Sequence, residues 1–409
     1  MPFFITMFLF ILFSSVIEAF VPFLSVLDNA IVFAILIMAI LKAISEGLNG
    51  KKTISTIGII TLVTCIILFL IAIIPNIMNS EHASFLQQLL TFYADIKFVI
   101  LFFCGIYVFE NIDLTSTKEL MLRISWLFTI ICSLMYLVNL VVPFLQSFDT
   151  RFGITTYSFG FGHPAQFALT AIVFSVLRIF FSLKDNERMP YIYLLLNFGL
   201  VFVAGRSTSI GFYVCLLILA IVFPYVKRIP ISFVAVLGAV FLWLSWGRIM
   251  SQFMGDSNEA RGLLLRTSIK IARDNFPFGA GLGMFGSNAA RVDYSPYFSK
   301  YNLDDVWGLT KENPHFATDS YWAMIIGELG FLGVICMLIL FGLVISGINM
   351  YLKNEKPLTK VIVLLPFIYA LLTSPIDTVM VSKSIIIVIF AVLYMCLYIK
   401  KANEKREET

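Results

Sequence analysis

The chain has 409 residues, 59% of them hydrophobic and 13% charged, against about 25% charged in an ordinary soluble domain. That balance excludes a soluble fold with one unusual helix. The net charge of +4 says little, because in a membrane chain the distribution of charge carries the information, and no nucleic-acid partner is expected.

The first apolar run, FFITMFLFILFSSVIEAFVPFL, has no basic n-region and no clear small-residue cleavage site, so it reads as a retained first span. A helix needs about 20 apolar residues to cross a bilayer. By that length and the polar breaks, the sequence predicts an all-α, polytopic integral membrane protein of about twelve spans: 3–24, 27–43, 55–76, 95–110, 124–145, 164–183, 190–205, 208–226, 230–247, 319–350, 360–375 and 379–400. The tenth is too long for a simple crossing and is expected to bend near Gly330. All six cysteines (Cys65, Cys104, Cys132, Cys215, Cys336 and Cys396) fall singly inside apolar runs, with neither disulfide nor metal-ligand spacing. No metal or other cofactor is expected.

Basic residues set the orientation. LNGKK, TKELMLR, KDNER, VKR, KNEKPLTK and the tail KKANEKREE fall on one side, which is read as cytoplasmic together with both termini. The short loops on the other side hold only Lys97, Arg151 and Arg206. Three units result: an N-terminal bundle of about nine spans (1–247), a large outer loop (248–318), and the last spans with a basic tail (319–409).

The outer loop holds Arg248, Arg261, Arg266, Lys270, Arg273, Arg291, Lys300 and Lys311, nearly balanced by acids. In NEARGLLLRTSIKIARDNFPFGAG, Arg266, Lys270 and Arg273 recur at i, i+4, i+7, opposite Leu264, Leu265, Ile271 and Ala272, and Pro277 and Gly279 end the helix. Such a cationic stripe either anchors the helix to anionic headgroups or grips a lipid-linked phosphate through guanidinium forks; the spacing leaves both open. GAGLGMFG (279–286) lacks the GxGxxG order and a preceding strand, so it is read as a tight turn rather than a nucleotide loop. Of the three histidines, His82 sits in a polar loop, His163 precedes a helix entry at Pro164, and His315 lies where the loop returns to the membrane, four residues before Asp319. Asp319 suits a helix N-cap, or, with His315, a general base.

Taken in order, GRS after a span, R-x-S-x-K-I-A-x-D-N-F-P-F-G-A-G-L-G-M-F in a long outer loop, and H-x-x-x-D-S-Y-W-x-x-x-x-x-E-L-G-F-L-G resemble the O-antigen polymerase (Wzy) and O-antigen ligase (WaaL) superfamily of bacterial surface-polysaccharide enzymes. The motif resemblance covers mainly residues 200–340. It implies a GT-C-like membrane glycosyltransferase of lipopolysaccharide or related polysaccharide biosynthesis, working on the outer face of the inner membrane. Its donor is a glycan on undecaprenyl pyrophosphate, its acceptor a second lipid-linked oligosaccharide, and a chain-length regulator is an expected partner. Arg206 and Arg266 match the family's pyrophosphate-holding arginines, with Lys270 and Arg273 on the same stripe. The family's frequent His-Asn is replaced here by Asp319-Ser320, which leaves Asp319 and His315 as the candidate bases.

The absence of that histidine favours a polymerase over a ligase, which shares the donor chemistry but uses lipid A core as acceptor. A flippase for lipid-linked oligosaccharide is the reading from another class. It calls for ionisable groups along a mid-membrane path, and few are present: Glu18 and Arg178 are near span ends, Glu328 is near the bend, and Lys383 is the best placed, so the large outer loop with its cationic face fits an enzyme better than a carrier.

Overall fold

A computed structural model describes residues 2–49, 55–79, 83–226, 238–239, 242–243 and 259–407. The ninth expected span (230–247), Arg248 and His82 lie essentially outside the described residues. The helices in chain order are α1 (Pro2–Phe20), α2 (Leu27–Leu48), α3 (Thr56–Met78), α4 (Phe85–Phe109), α5 (Lys118–Val141), α6 (Pro164–Lys184), α7 (Tyr191–Val203), α8 (Ser207–Val222), α9 (Ala260–Asp274), α10 (Asn288–Val292), α11 (Pro296–Lys300), α12 (Tyr321–Tyr351), α13 (Pro357–Thr373) and α14 (Lys383–Glu407). Eight helices among the described residues are long and apolar enough to cross a membrane, and α7, α8 and α13 are shorter apolar helices. The chain is a helical, polytopic, membrane-embedded protein.

Which helices sit inside follows from their pattern. A helix that is apolar all round belongs in the middle of a bundle, and α6 and α14 are buried along almost their whole apolar length. Around them α2, α3 and α5 turn out rows of Ile and Leu, such as Ile37, Leu41, Ile66, Leu70, Ile131 and Leu134. So large a continuous apolar surface is foreign to a water-soluble monomer and suits lipid. The six cysteines are free and lie within helices, buried or half-buried.

Two expectations change. The fourth span starts at Phe85, not at residue 95, because Ser84 and Gln87 form a reciprocal capping box there. Lys97 therefore lies inside α4 rather than in a loop, where its ammonium donates to the carbonyl of Val381 (2.8 Å). The all-α expectation also misses one antiparallel hairpin, β1 (Ser147–Arg151) with β2 (Ile154–Tyr157). Phe152 and Gly153 turn it with φ of 53° and 77°, both positive as a two-residue turn of matching twist requires.

Among the described residues, basic groups gather at one end of the bundle, in the ion pairs Lys42–Glu110 (2.8 Å), Lys118–Glu187 (2.6 Å), Lys184–Glu355 (2.5 Å) and Lys405–Asp113 (2.8 Å). The 259–320 segment sits at the other end with a small apolar core of its own, including Leu264, Ile271, Phe285 and Phe298.

The expected bend is at Gly330, whose φ of 66° interrupts α12. A break inside a span strands carbonyls that water cannot reach, so other groups must satisfy them. The 279–286 turn does so: Ala280 and Gly281 donate backbone N–H to the carbonyls of Gly327 (2.7 Å) and Glu328 (3.0 Å). Asn76 on α3 clamps the same turn, accepting from Leu282 N–H (2.7 Å) and donating to its carbonyl (3.0 Å). The glycine-rich run wraps a carboxyl group of its own chain: Glu328 Oε1 accepts from Phe285 N–H (3.0 Å), and the N–H groups of Gly283 and Met284 and the Ser287 hydroxyl face the same group.

Candidate functional site

A cavity of about 470 Å³ opens at the end of α6 opposite the ion-pair belt. The turn between α7 and α8 forms one wall. Gly205 bends there with φ of 67°, and a Cβ on it would stand 2.2 Å from Cγ2 of Thr156 on β2. Only glycine lets the hairpin lie so close, and the hairpin brings Asp149 and Arg151 to the next residue, Arg206. The start of α9 brings Arg261, the returning chain brings His315 and Asp319, and the link between α13 and α14 brings Asp377. A larger space of about 910 Å³ lies near the belt, lined mainly by apolar side chains and bordered by Val226, where the described residues stop before 238. The charged groups converge on the smaller one.

Arg206 does not reach out to solvent as a helix-end arginine often does; it is 9% exposed. Its guanidinium lies over the Phe148 ring (5.1 Å), 3.8 Å from the Asp149 carboxylate and 3.5 Å from Nε2 of His163. Asp149 also accepts from Nε and Nη2 of Arg151, both at 2.7 Å, and from the Thr156 hydroxyl. Burial acts to raise the Asp149 pKa, but Thr156, Arg151 and Arg206 together hold it below the usual carboxylate range. Across the cavity, Arg261 donates to one oxygen of Asp319 through Nη2 (2.6 Å) and Nε (3.1 Å).

Among the described residues, two guanidinium donors, Arg206 Nε and Arg151 Nη1, are buried with no acceptor, as is the Ser207 hydroxyl beside them. A buried guanidinium N–H left unmatched costs about 1–3 kcal/mol, and its natural complement is an anionic oxygen. Lost hydration and the neighbouring Arg151 lower the Arg206 pKa to about 10, so it stays a cation at neutral pH. Lost hydration, then Arg206 and Arg151, push His163 down to about 4. Its Nδ1 accepts the N–H of Ala165 at the start of α6 (3.2 Å), a role open only to a neutral ring. Asp377 is shifted the other way, raised above 3.8 by burial.

Of the expected site residues, the cavity assembles Arg206, His315 and Asp319, with His163 beside them. It does not take in Arg266, Lys270 or Arg273, which are exposed. The reason is the helical period: Leu264, Ile271 and Ala272 pack inward, which turns the i, i+4, i+7 stripe outward, and Lys270 stands over the Tyr301 ring (5.2 Å). The N-cap roles also change. Ser320, not Asp319, caps α12, accepting from Ala323 N–H (3.4 Å), which leaves Asp319 to Arg261. Arg206 takes the N-cap position of α8 without a side-chain cap, and Ser209 bonds the hydroxyl of Tyr369 (2.8 Å).

Sequence reasoning did not single out Asp149, Arg151, Arg261 and Asp377 for the site. Asp377 carried a usable signal, an acid in the short link SPIDT between two apolar runs. The hairpin that delivers Asp149 and Arg151 had only the FG pair at 152–153 to announce it. Compared with protein-family models the chain finds no match, and a search of curated proteins finds none either.

Proposed function

We propose that the chain is a polysaccharide polymerase: it moves a glycan from undecaprenyl pyrophosphate to the non-reducing end of a new lipid-linked repeat unit, at the outer face of the inner membrane. The observation that carries this reading is the pair of unmatched buried donors on Arg206 and Arg151, set in a cavity that Arg261 closes from the other side. Three planar forks around one cavity suit the several oxygens of a pyrophosphate and stabilise the charge that grows as it leaves. Arg151 and Arg261 thus join Arg206 in the role expected of the stripe, while Arg266, Lys270 and Arg273 hold α9 to anionic headgroups.

Depth supports the same reading. The 13 residues of α7 reach only about 20 Å at 1.5 Å each, short of the roughly 30 Å hydrocarbon core. A turn recessed in this way would meet the pyrophosphate of a lipid still seated in its leaflet. Lys383, the best candidate for a carrier path, is paired with Glu18 at 2.6 Å.

Deleting the gene in its own host and resolving the surface polysaccharide on a gel tests this. A ladder that collapses to core carrying one repeat unit supports the polymerase. Bare core overturns it in favour of a ligase or flippase.

A further inference from the structure

Beside the arginine cavity lies a second, smaller chamber of about 260 Å³. His315 lines both, and the peptide 377–378 divides them, with Asp377 on the larger side and Thr378 on the smaller. Their chemistry differs. The larger holds three guanidiniums and three acids close by. The smaller is lined by Ser287, Thr318, Thr378, Ser382 and Asn288 and by one guanidinium, Arg291, whose Nη2 is already bonded to Asn288 (2.8 Å); the Ser287 hydroxyl also accepts from Ala290 N–H (3.2 Å) and that of Ser382 donates to the Val379 carbonyl (3.2 Å). No acid lines it among the described residues, and Met324 and Val381 supply apolar patches. Hydroxyl and amide groups beside small apolar faces match a neutral polyol, whose ring presents O–H at its rim and C–H on its faces. The volume is below the roughly 300–1,000 Å³ of pockets for drug-sized ligands, a size for one sugar residue rather than a lipid chain.

Of the three carboxylates that line the larger cavity, Glu259 is exposed at the start of α9, and Asp319 and Asp377 are unlike each other. Asp319 is clamped by Arg261 at 2.6 and 3.1 Å, so it is a fixed anion that orients a guanidinium. Asp377 has no such clamp among the described residues; it accepts from the backbone N–H of Thr378, and Arg261, Asp319 and Arg206 face it across the cavity. A half-buried carboxylate that no guanidinium clamps is the stronger proton acceptor of the two.

Resting on the polymerase reading above, we propose that the smaller chamber is the acceptor subsite, holding the terminal sugar of the acceptor glycan so that its hydroxyl meets Asp377 at the dividing wall. In the step that follows, the hydroxyl oxygen forms a bond to the anomeric carbon of the donor sugar. The bond from that carbon to the phosphate oxygen breaks, and its electron pair leaves with undecaprenyl pyrophosphate, held by the arginines. The hydroxyl proton passes to the Asp377 carboxylate and from there to solvent.

The test uses the full chain in vesicles, with lipid-linked repeat unit as donor and a water-soluble glycoside of the repeat unit, lacking phosphate, as acceptor. Thr318→Trp, which fills the chamber, and Ser382→Ala, which removes one hydroxyl, are expected to raise the acceptor KM, the first by about tenfold or more. Both should leave competition by undecaprenyl pyrophosphate unchanged, which also shows that the variants are folded. Asp377→Asn is expected to lower kcat by about 10²–10⁴-fold with the acceptor KM unchanged. Acceptor KM unaltered in both chamber variants, a shift in donor affinity instead, or full kcat in Asp377→Asn overturns the inference while the parent reading stands. No glycosidic bond formed by the unaltered protein overturns both.

Discussion

Arg261 and Asp319, 58 residues apart in sequence, form a fork in which Nε and Nη2 of the guanidinium converge on one carboxylate oxygen at 3.1 and 2.6 Å. The pair ties the first turn of α9 to the residue before the cap of α12, and so fixes where the outer segment meets the bundle. It also separates two arginines that the sequence alone confuses. Arg261 faces the cavity, and Arg266, little more than one turn later, is exposed.

That separation predicts a contrast. Arg206→Ala and Arg261→Ala are expected to slow chain growth by about 10²–10³-fold, with protein levels in the membrane near normal. Arg266→Ala, on the outward stripe, is expected to stay close to the unaltered protein. Initial rates in reconstituted vesicles decide it; an Arg266→Ala variant as inactive as Arg206→Ala returns the pyrophosphate to the outward stripe of α9.

Gly205→Ala is expected to damage the site without touching a charged group. The left-handed backbone alone costs about 1–2 kcal/mol with a side chain, and the new methyl would meet Thr156 Cγ2 at 2.2 Å, pushing away the hairpin that holds Asp149 and Arg151. Lower thermal stability in detergent together with lost chain growth is the expected result.

Glu328→Leu tests the wrapped carboxyl group. It strands the Phe285 N–H that now bonds Oε1 at 3.0 Å, at about 1–3 kcal/mol for each buried group left unmatched. Limited proteolysis should then cut within 279–287, a turn that stays protected in the unaltered protein.

Lys383→Met and Glu18→Met should each destabilise, by about 1–3 kcal/mol for the partner left unmatched, and the double variant should recover stability and polymerise. Loss of function in a stable double variant would instead make the pair part of a transport path.

The pH dependence follows from Asp377. Burial raises its pKa above 3.8, and protonation removes its capacity to accept a proton. Activity is therefore present above that raised pKa and lost as pH falls through it, at a higher pH than an ordinary aspartate titrates. The rate profile of Asp377→Asn should lack the acid limb.

The helical plan was legible because burial in a bilayer demands long apolar runs, and Gly330 was legible as a bend because α12 is too long to cross unbroken. The start of α4 was not, since Gln87, Gln88, Asp95 and Lys97 look like loop residues until Ser84 caps them and the bundle buries most of them. Arg206, His315 and Asp319 could be chosen because charge at the edge of apolar runs is rare and therefore informative. Arg151 and Arg261 could not be separated from their neighbours, because a hairpin of five and four residues and the rotation of α9 decide which guanidiniums face inward. Both depend on contacts far apart in the chain.

The most direct test of the central claim is to incubate the purified protein in vesicles with undecaprenyl-pyrophosphate-linked repeat unit and follow two products together. The account predicts a ladder of longer glycans, one undecaprenyl pyrophosphate released for each bond formed, and neither product from Arg206→Ala. Movement of intact lipid-linked units between leaflets with no ladder and no released pyrophosphate would contradict it.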